Sequence, residues 1–313
     1  MCRKFPANGN DPVLQRECPK TDLMWERGVE ETENVAVQRD VSPVDGALVK
    51  RHRLSTRIWH WTNALALLVL FMSGLMIFNA YPRLHWGDAG SIHDPAWLEI
   101  GGDAERGYLK LGDSEIPTTG VLGHWRNAEG EVKTRAFPSW ATIPSRCSLP
   151  LARTWHLAFA WVLSIGLTLY MLRSLWNGHV RKDLHIRRAE WSPRHIWHDI
   201  KDHARLRVPT GAAALNYNIL QKLSYVGVIF VLLPLMIATG LCMSPGMNAG
   251  MPWLPELFGG RQSARSVHFI SSFLLLGFFG VHMIMVLLAG PFNEVRSIIT
   301  GWYRVPAVKE ASE

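Results

Sequence analysis

Residues 266–288 have the sequence SVHFISSFLLLGFFGVHMIMVLL, which contains no lysine, arginine, aspartate or glutamate. A helix of this length rises by about 34 Å, enough to cross a hydrocarbon core about 30 Å thick. A buried helix of a soluble protein can also be apolar on all sides, so one stretch alone does not decide the fold class. Three more stretches of similar length and character are found at 58–80, 154–176 and 220–243. The sequence therefore predicts an all-α integral membrane protein, a four-helix transmembrane bundle.

Lysine and arginine residues are concentrated before the first stretch and in the connection 177–219. Because cytoplasmic flanks of membrane helices are enriched in these residues, both termini are predicted to be cytoplasmic and the loop 81–153 periplasmic. This topology also accounts for the net charge of +7. Membrane lipid is then the expected surroundings, and no nucleic-acid partner is predicted. The first 50 residues contain no apolar run typical of a signal peptide, so the first helix is expected to start insertion into the bacterial inner membrane.

The sequence divides into a cytoplasmic extension (1–50), a membrane domain (51–305) and a short tail (306–313). The long periplasmic loop contains five large aromatic residues: Trp86, Trp97, Tyr108, Trp125 and Trp140. Long loops in compact proteins are commonly functional, so docking of a periplasmic partner is the preferred interpretation, with a self-packed lid as the alternative. The connection 177–219 has apolar residues near helical spacing, which predicts a helix at the membrane surface; lipid anchoring is preferred there over ligand binding.

Four histidines lie inside or at the ends of the apolar stretches, where polar side chains are costly and commonly functional. His268 and His282 are fourteen residues apart, about 21 Å of helix rise, and share one face of the last helix. His156 begins the second helix at the depth of His268, and His60 begins the first helix at the depth of His282. The predicted pairs are therefore His60 with His282 and His156 with His268. Two facing imidazoles provide the axial ligands of a haem iron, and sites so far apart cannot share one zinc ion.

Three of these histidines follow an arginine by three residues, at Arg57, Arg153 and Arg265. An arginine one turn closer to water could bind a haem propionate, although anchoring at the membrane surface is the alternative. Gly74 lies fourteen residues after His60 on the same helix face, so it could leave room for the other haem, or simply for helix packing. The cysteines show no Cys-x-x-Cys-His motif, so two noncovalent haems b are predicted.

The chain resembles the membrane cytochrome b subunits of bacterial respiratory oxidoreductases, the formate dehydrogenase, nickel-iron hydrogenase and thiosulfate reductase cytochromes b. The motifs that carry the resemblance are Arg57 to Trp61, Trp155-His156, the histidine pair of the last helix, residues 216–222 and Met243-Ser244-Pro245. The resemblance implies two haems b that connect a quinone site at one membrane face with a catalytic partner at the other. Its thiosulfate-reductase-like branch suggests a molybdenum-dependent partner of the sulfite oxidase type. The loop 81–153 is longer than is typical of the smaller members.

The leading hypothesis is electron transfer between the quinone pool and a periplasmic oxidoreductase. No flavin, nicotinamide or molybdenum motif is found, so substrate chemistry would belong to another subunit. The alternatives are a self-contained b561-like quinone oxidoreductase acting on superoxide or another small oxidant, and a non-redox anchor or transporter. Asn218, Gln221 and Lys222 are the candidate quinone-binding residues, because they lie within about one helical turn at the cytoplasmic entrance of the third helix. Helix capping by Asn218 and snorkelling by Lys222 is the alternative.

Overall fold

The computed structural model describes residues 46–176, 197, 201 and 219–305. Four helices in it are long and apolar enough to cross a membrane, which confirms the predicted helical bundle. We call them spans 1 to 4, with bounds Leu54–Phe78, Leu149–Trp176, Leu220–Met243 and Arg261–Ala289. Spans 1, 2 and 4 begin four or five residues earlier than predicted. The added first turns contain polar residues in spans 1 and 4, and Pro150 and Arg153 in span 2, which the apolar pattern omits.

Span 1 packs chiefly along span 2, and span 3 along span 4. Buried leucines of spans 2, 3 and 4 meet in the middle of the bundle, and Trp59, Leu67 and Leu70 of span 1 pack against them. Many other large apolar side chains point outward, because lipid rather than water surrounds a membrane helix and gives little reason to bury them. The buried core between the spans is therefore small.

Span 3 is not a regular α-helix along its whole length. It consists of an α-helix at Ile219–Val226, a π-helical turn at Gly227–Leu232 and a second α-helix at Leu233–Met243. Pro234 lies two residues beyond the end of the π turn and has no backbone N–H with which to continue the hydrogen-bond ladder. The wider turn accommodates this break inside the membrane without interrupting the span. Two short helices, Pro245–Gly250 and Trp253–Leu257, then connect spans 3 and 4.

The connection between spans 1 and 2 folds as a small β structure, which the all-α prediction did not anticipate. Strand β1 (Leu48–Lys50) precedes span 1. The strands of the connection are β2 Arg83–Leu84, β3 Leu98–Gly102, β4 Gly107–Leu111, β5 Ser114–Pro117, β6 Trp125–Arg126 and β7 Val132–Lys133. Strands β2 to β5 form one antiparallel sheet in chain order, and β6 pairs with β7. Gly112 turns β4 into β5 with a φ of 56°, a conformation that favours glycine. We call residues 79–148 the cap.

The cap has an apolar core of its own that continues into the bundle. Leu84, Leu98, Ile100 and Phe137 are buried together with the last turn of span 1, and Phe269 of span 4 packs against the same cluster. The lid that the sequence left as an alternative is therefore present as a packed structure. We call this side of the molecule the loop end.

The opposite side, which we call the terminal end, joins the two ends of the membrane domain. Strand β1 (Leu48–Lys50) pairs antiparallel with β8 (Trp302–Arg304), although β1 lies inside the predicted extension. A helix at Pro291–Thr300 follows span 4, and its Glu294 forms an ion pair of 3.2 Å with Arg51. The start of span 1 and the end of span 4 are thereby held side by side.

Candidate functional site

The four histidines of the spans meet as two pairs of rings, one at each end of the bundle. The ring centroids of His156 and His268 are 6.3 Å apart at the loop end. Those of His60 and His282 are 6.4 Å apart at the terminal end. Each pair joins span 4 to a different helix, so the fold brings together residues more than a hundred positions apart in the chain.

The separation within each pair suits two ligands on opposite sides of one metal ion. With metal–nitrogen bonds of about 2 Å and each centroid about 1 Å behind its nitrogen, two such rings have centroids about 6 Å apart. No group of three or more His, Cys, Asp or Glu side chains that could hold a metal ion occurs among the described residues. Each pair thus supplies two ligands only, which fits haem iron, whose remaining four ligands belong to the porphyrin, better than zinc.

At the loop end, two hydroxyl groups hold the histidine rings. Ser73 Oγ lies 3.0 Å from Nδ1 of His156, and Thr239 Oγ1 lies 2.9 Å from Nδ1 of His268. Both hydroxyl residues are fully buried. Neither residue is among those predicted from the sequence. The pattern that could have indicated them is a hydroxyl residue followed directly by glycine, which occurs in spans 1 and 3.

The glycines of these two dipeptides lie against the same rings. A Cβ atom added to Gly74 would lie 3.4 Å from Cε1 of His156. A Cβ atom added to Gly240 would lie 3.5 Å from Cε1 of His268. Gly74, predicted to leave room for a haem, therefore leaves room first for the imidazole ring, and Gly240 does the same from span 3.

The histidine pair at the terminal end has a different environment. Phe278 stacks on His282, while Nδ1 of His60 is buried without a hydrogen-bond partner among the described residues. Oδ1 of Asn63, one turn further along span 1, is also buried and unpartnered in that part of the chain. Burial, with a smaller contribution from the positive charge of Arg51, lowers the pKa of nearby His52 to about 4, so this imidazole is neutral at physiological pH.

The three arginines predicted to bind propionates have unlike partners. Arg265 donates to the backbone carbonyls of Arg83 and Tyr81 in the cap. Arg57 donates to the carbonyl of Ile299, and its Nε is buried without a partner among the described residues. Arg153 is exposed and makes no hydrogen bond or ion pair to another described residue. A role in binding propionate stays a prediction for all three, and two of them already hold loops to the bundle.

The predicted quinone-binding residues are only partly described by the structure. Gln221 and Lys222 lie half-buried in the first helical segment of span 3, near the terminal end. Asn218 lies outside the described residues, as does most of the connection 177–219. The structure therefore does not test whether the three side chains converge.

Comparison with known proteins places the chain in a family. The family model for prokaryotic cytochrome b561 matches residues 51–301. The chain belongs to the prokaryotic cytochrome b561 family. It is accordingly a multi-pass inner-membrane protein that binds haem b and takes part in membrane electron transfer. The cytochrome b type that the sequence analysis identified is thereby confirmed.

One curated relative of this b561-family chain comes from Azospira oryzae. It is 25% identical over 232 residues, which are 74% of this chain and 87% of the relative. That protein is named a putative protein-methionine-sulfoxide reductase subunit, YedZ1. No solved structure matches the chain.

Proposed function

We propose that this b561-family chain holds two haems b, one between His156 and His268 and one between His60 and His282, and passes electrons between them. The observation that carries the proposal is the separation of the ring centroids, 6.3 and 6.4 Å, in both pairs. Haem b supplies reversible one-electron oxidation and reduction when it is bound. The chain would supply the four imidazoles that hold the two haems, with the two histidine pairs about 21 Å apart along span 4.

Single histidine variants test the number of haems and the pairing together. His156→Ala and His268→Ala should each lower the haem content from two to one and leave the same spectrum behind. His60→Ala and His282→Ala should leave the other spectrum. The measurement is a pyridine haemochrome assay combined with low-temperature absorption spectra of purified protein. One haem in the unaltered chain, or different remaining spectra within a pair, would reject the assignment.

The proposed orientation places both termini in the cytoplasm and the cap in the periplasm. It rests on the lysines and arginines that precede span 1 and fill the connection between spans 2 and 3. The loop-end haem then faces the periplasm, and the terminal-end haem faces the cytoplasm. Labelling of Cys147, an exposed cap cysteine, by a membrane-impermeant maleimide in intact spheroplasts should succeed without lysis.

We further propose that the cap docks a periplasmic oxidoreductase, of the molybdenum-dependent type that the resemblance implies. Two observations support a partner of this kind. The Azospira relative is named as a subunit of a reductase rather than as a complete enzyme. The cap also presents large apolar side chains to solvent, among them Trp86, which is 55% exposed, and Ile92, which is 65% exposed. A cap that served only as a lid would have less reason to display them.

A charge substitution on the cap tests the docking surface. Ile92→Asp should weaken partner-dependent oxidation or reduction of the haems while both haem spectra stay unchanged. Leu48→Asp is the matched control, because Leu48 is 53% exposed but lies at the terminal end. Equal effects of the two substitutions would argue against docking on the cap. Reduction of superoxide by the isolated chain with quinol as the electron donor would instead favour a self-contained oxidoreductase.

The proposed quinone site lies beside His60 and His282, at the start of span 3. Gln221→Ala and Asn218→Ala should slow haem reduction by quinol or haem oxidation by quinone and weaken inhibition by quinone analogues, with haem content unchanged. Gln262→Ala is the control, since Gln262 lies in the first turn of span 4, at the loop end. If both variants retain full quinone kinetics, the site belongs elsewhere. An apolar groove of about 400 Å³ at the loop end, lined by Phe71, Phe273 and Trp140 among others, is then the next place to test.

A further inference from the structure

The hydroxyl groups of Ser73 and Thr239 have only one proton each, and each proton is donated to a backbone carbonyl of the same helix. Ser73 Oγ donates to the carbonyl of Val69 at 2.6 Å, and Thr239 Oγ1 donates to the carbonyl of Leu235 at 2.7 Å. This is the usual hydrogen bond of a helical hydroxyl to the residue four positions earlier. Each oxygen therefore faces its histidine with a lone pair and can only accept a hydrogen bond from that ring.

This arrangement fixes which ring nitrogen carries the proton. Because the hydroxyl oxygens accept, Nδ1 of His156 and Nδ1 of His268 must donate. Nε2 of both rings is then left unprotonated, which is the form that binds a metal ion.

An acceptor on the distal nitrogen changes the strength of the ligand as well as its orientation. A hydrogen bond from Nδ1–H makes Nε2 more basic, so the ring stabilises the more positive oxidation state of a bound metal. At the loop end both ligands have such an acceptor. At the terminal end Nδ1 of His60 is buried without one among the described residues. The two ends therefore differ in the hydrogen bonding that tunes a haem iron.

We infer that Ser73 and Thr239 are positioning residues for the loop-end haem: they fix the tautomer of its two histidine ligands and lower its midpoint potential. The inference rests on the proposed ligation by His156 and His268. It gives spans 1 and 3 a defined part in a site whose ligands come from spans 2 and 4. Span 3, which supplies no histidine, thereby acts through Thr239 and its neighbour Gly240.

Removal of the hydroxyls in the haem-loaded, full-length protein tests the inference. Ser73→Ala and Thr239→Val should each raise the loop-end potential, because the oxidised iron loses stabilisation. We expect a threefold to tenfold change in the ratio of reduced to oxidised haem at fixed potential, about 30 to 60 mV for one electron. The measurement is an optical redox titration in a His60→Ala background, where only the loop-end haem remains. The terminal-end potential, titrated in a His156→Ala background, should stay the same.

Two further variants separate tuning from general effects on the helices. Thr168→Val is the matched control, because Thr168 makes the same helical hydrogen bond, to the carbonyl of Ser164 at 2.8 Å, but is exposed. The midpoint potential of the loop-end haem should not change in this variant. Ser73→Thr keeps a hydroxyl and should restore the original potential. Loss of the haem from Ser73→Ala, reversed in Ser73→Thr, would equally support the fixed tautomer.

The inference is overturned if Ser73→Ala and Thr239→Val both keep the loop-end haem at its original potential, or if Thr168→Val shifts it as much. Failure of the proposed ligation looks different, because the His156→Ala and His268→Ala variants would then retain both haems. The two failures can therefore be told apart in one set of proteins.

Discussion

Substitution of Gly74 and Gly240 by larger residues tests the arrangement at the loop end most directly. Added Cβ atoms would lie 3.4 Å from the His156 ring and 3.5 Å from the His268 ring. Carbon atoms pack well at about 3.5 to 4.0 Å, so alanine should fit at either position with a small movement of the ring. A γ carbon of valine extends about 1.5 Å further and would overlap a ring held by its hydroxyl partner.

We therefore expect a step between alanine and valine rather than a gradual decline. Gly74→Ala and Gly240→Ala should keep two haems per chain. Gly74→Val and Gly240→Val should keep one, with the spectrum of the loop-end haem lost, because the displaced imidazole can no longer reach its position. The assay is the haem-to-protein ratio of purified protein together with its absorption spectrum.

Gly277→Val provides the control for this experiment. Gly277 lies in span 4, where an added Cβ would have no atom within 4 Å, so the substitution changes helix propensity alone. Two haems with unchanged spectra in Gly74→Val would show that the His156 ring does not depend on this space. Loss of haem in Gly277→Val as well would assign the effect to the helix rather than to the ring.

Two other predictions concern how the ends of the bundle are held. Trp97 Nε1 donates to Ser266 Oγ at 2.9 Å, so Trp97→Phe should destabilise the docking of the cap on span 4 by about 1 kcal/mol. Amide hydrogen exchange in β2 and β3 should then rise about fivefold, with the haem spectra unchanged. Trp86→Phe is the control, and equal exchange in the two variants would contradict a role of this hydrogen bond in holding the cap. Arg51 and Glu294, whose side chains are 19% and 21% exposed, should show a coupling of about 0.5 to 1 kcal/mol in a double-mutant cycle of thermal unfolding, weaker at high salt. A coupling of zero would contradict this ion pair's contribution.

The four spans could be predicted from the sequence because the membrane requires long apolar helices and allows few alternatives. Histidine depth could be predicted for the same reason, since position along a membrane helix converts directly into depth. The starts of the helices could not, because polar first turns such as that of Arg261 and Gln262 look like loop in an apolar pattern. The strands of the cap were missed because they are short, from two to five residues, and so leave little room for an alternating apolar pattern.

The partners of the arginines could not be predicted from the sequence either. The spacing of Arg57 and Arg265 from a histidine fixes where each guanidinium starts, but its acceptor depends on where a distant backbone carbonyl is placed. Ser73 and Thr239 were missed for a related reason. A hydroxyl in an apolar helix usually bonds only to its own backbone, and only the packing of neighbouring helices shows that a histidine lies within reach.

The cap is joined to span 4 at the turn that precedes His268. Arg265 donates to two cap carbonyls, Ser266 Oγ donates to the carbonyl of His85, and Trp97 donates to the same serine. Arg265 and Ser266 lie three and two positions before His268. The cap as well as helix packing therefore holds the backbone at His268. A partner bound to the cap would thus contact a structure that is rigidly connected to the loop-end ligand. In the proposed function, the lid and the docking surface are therefore one structure.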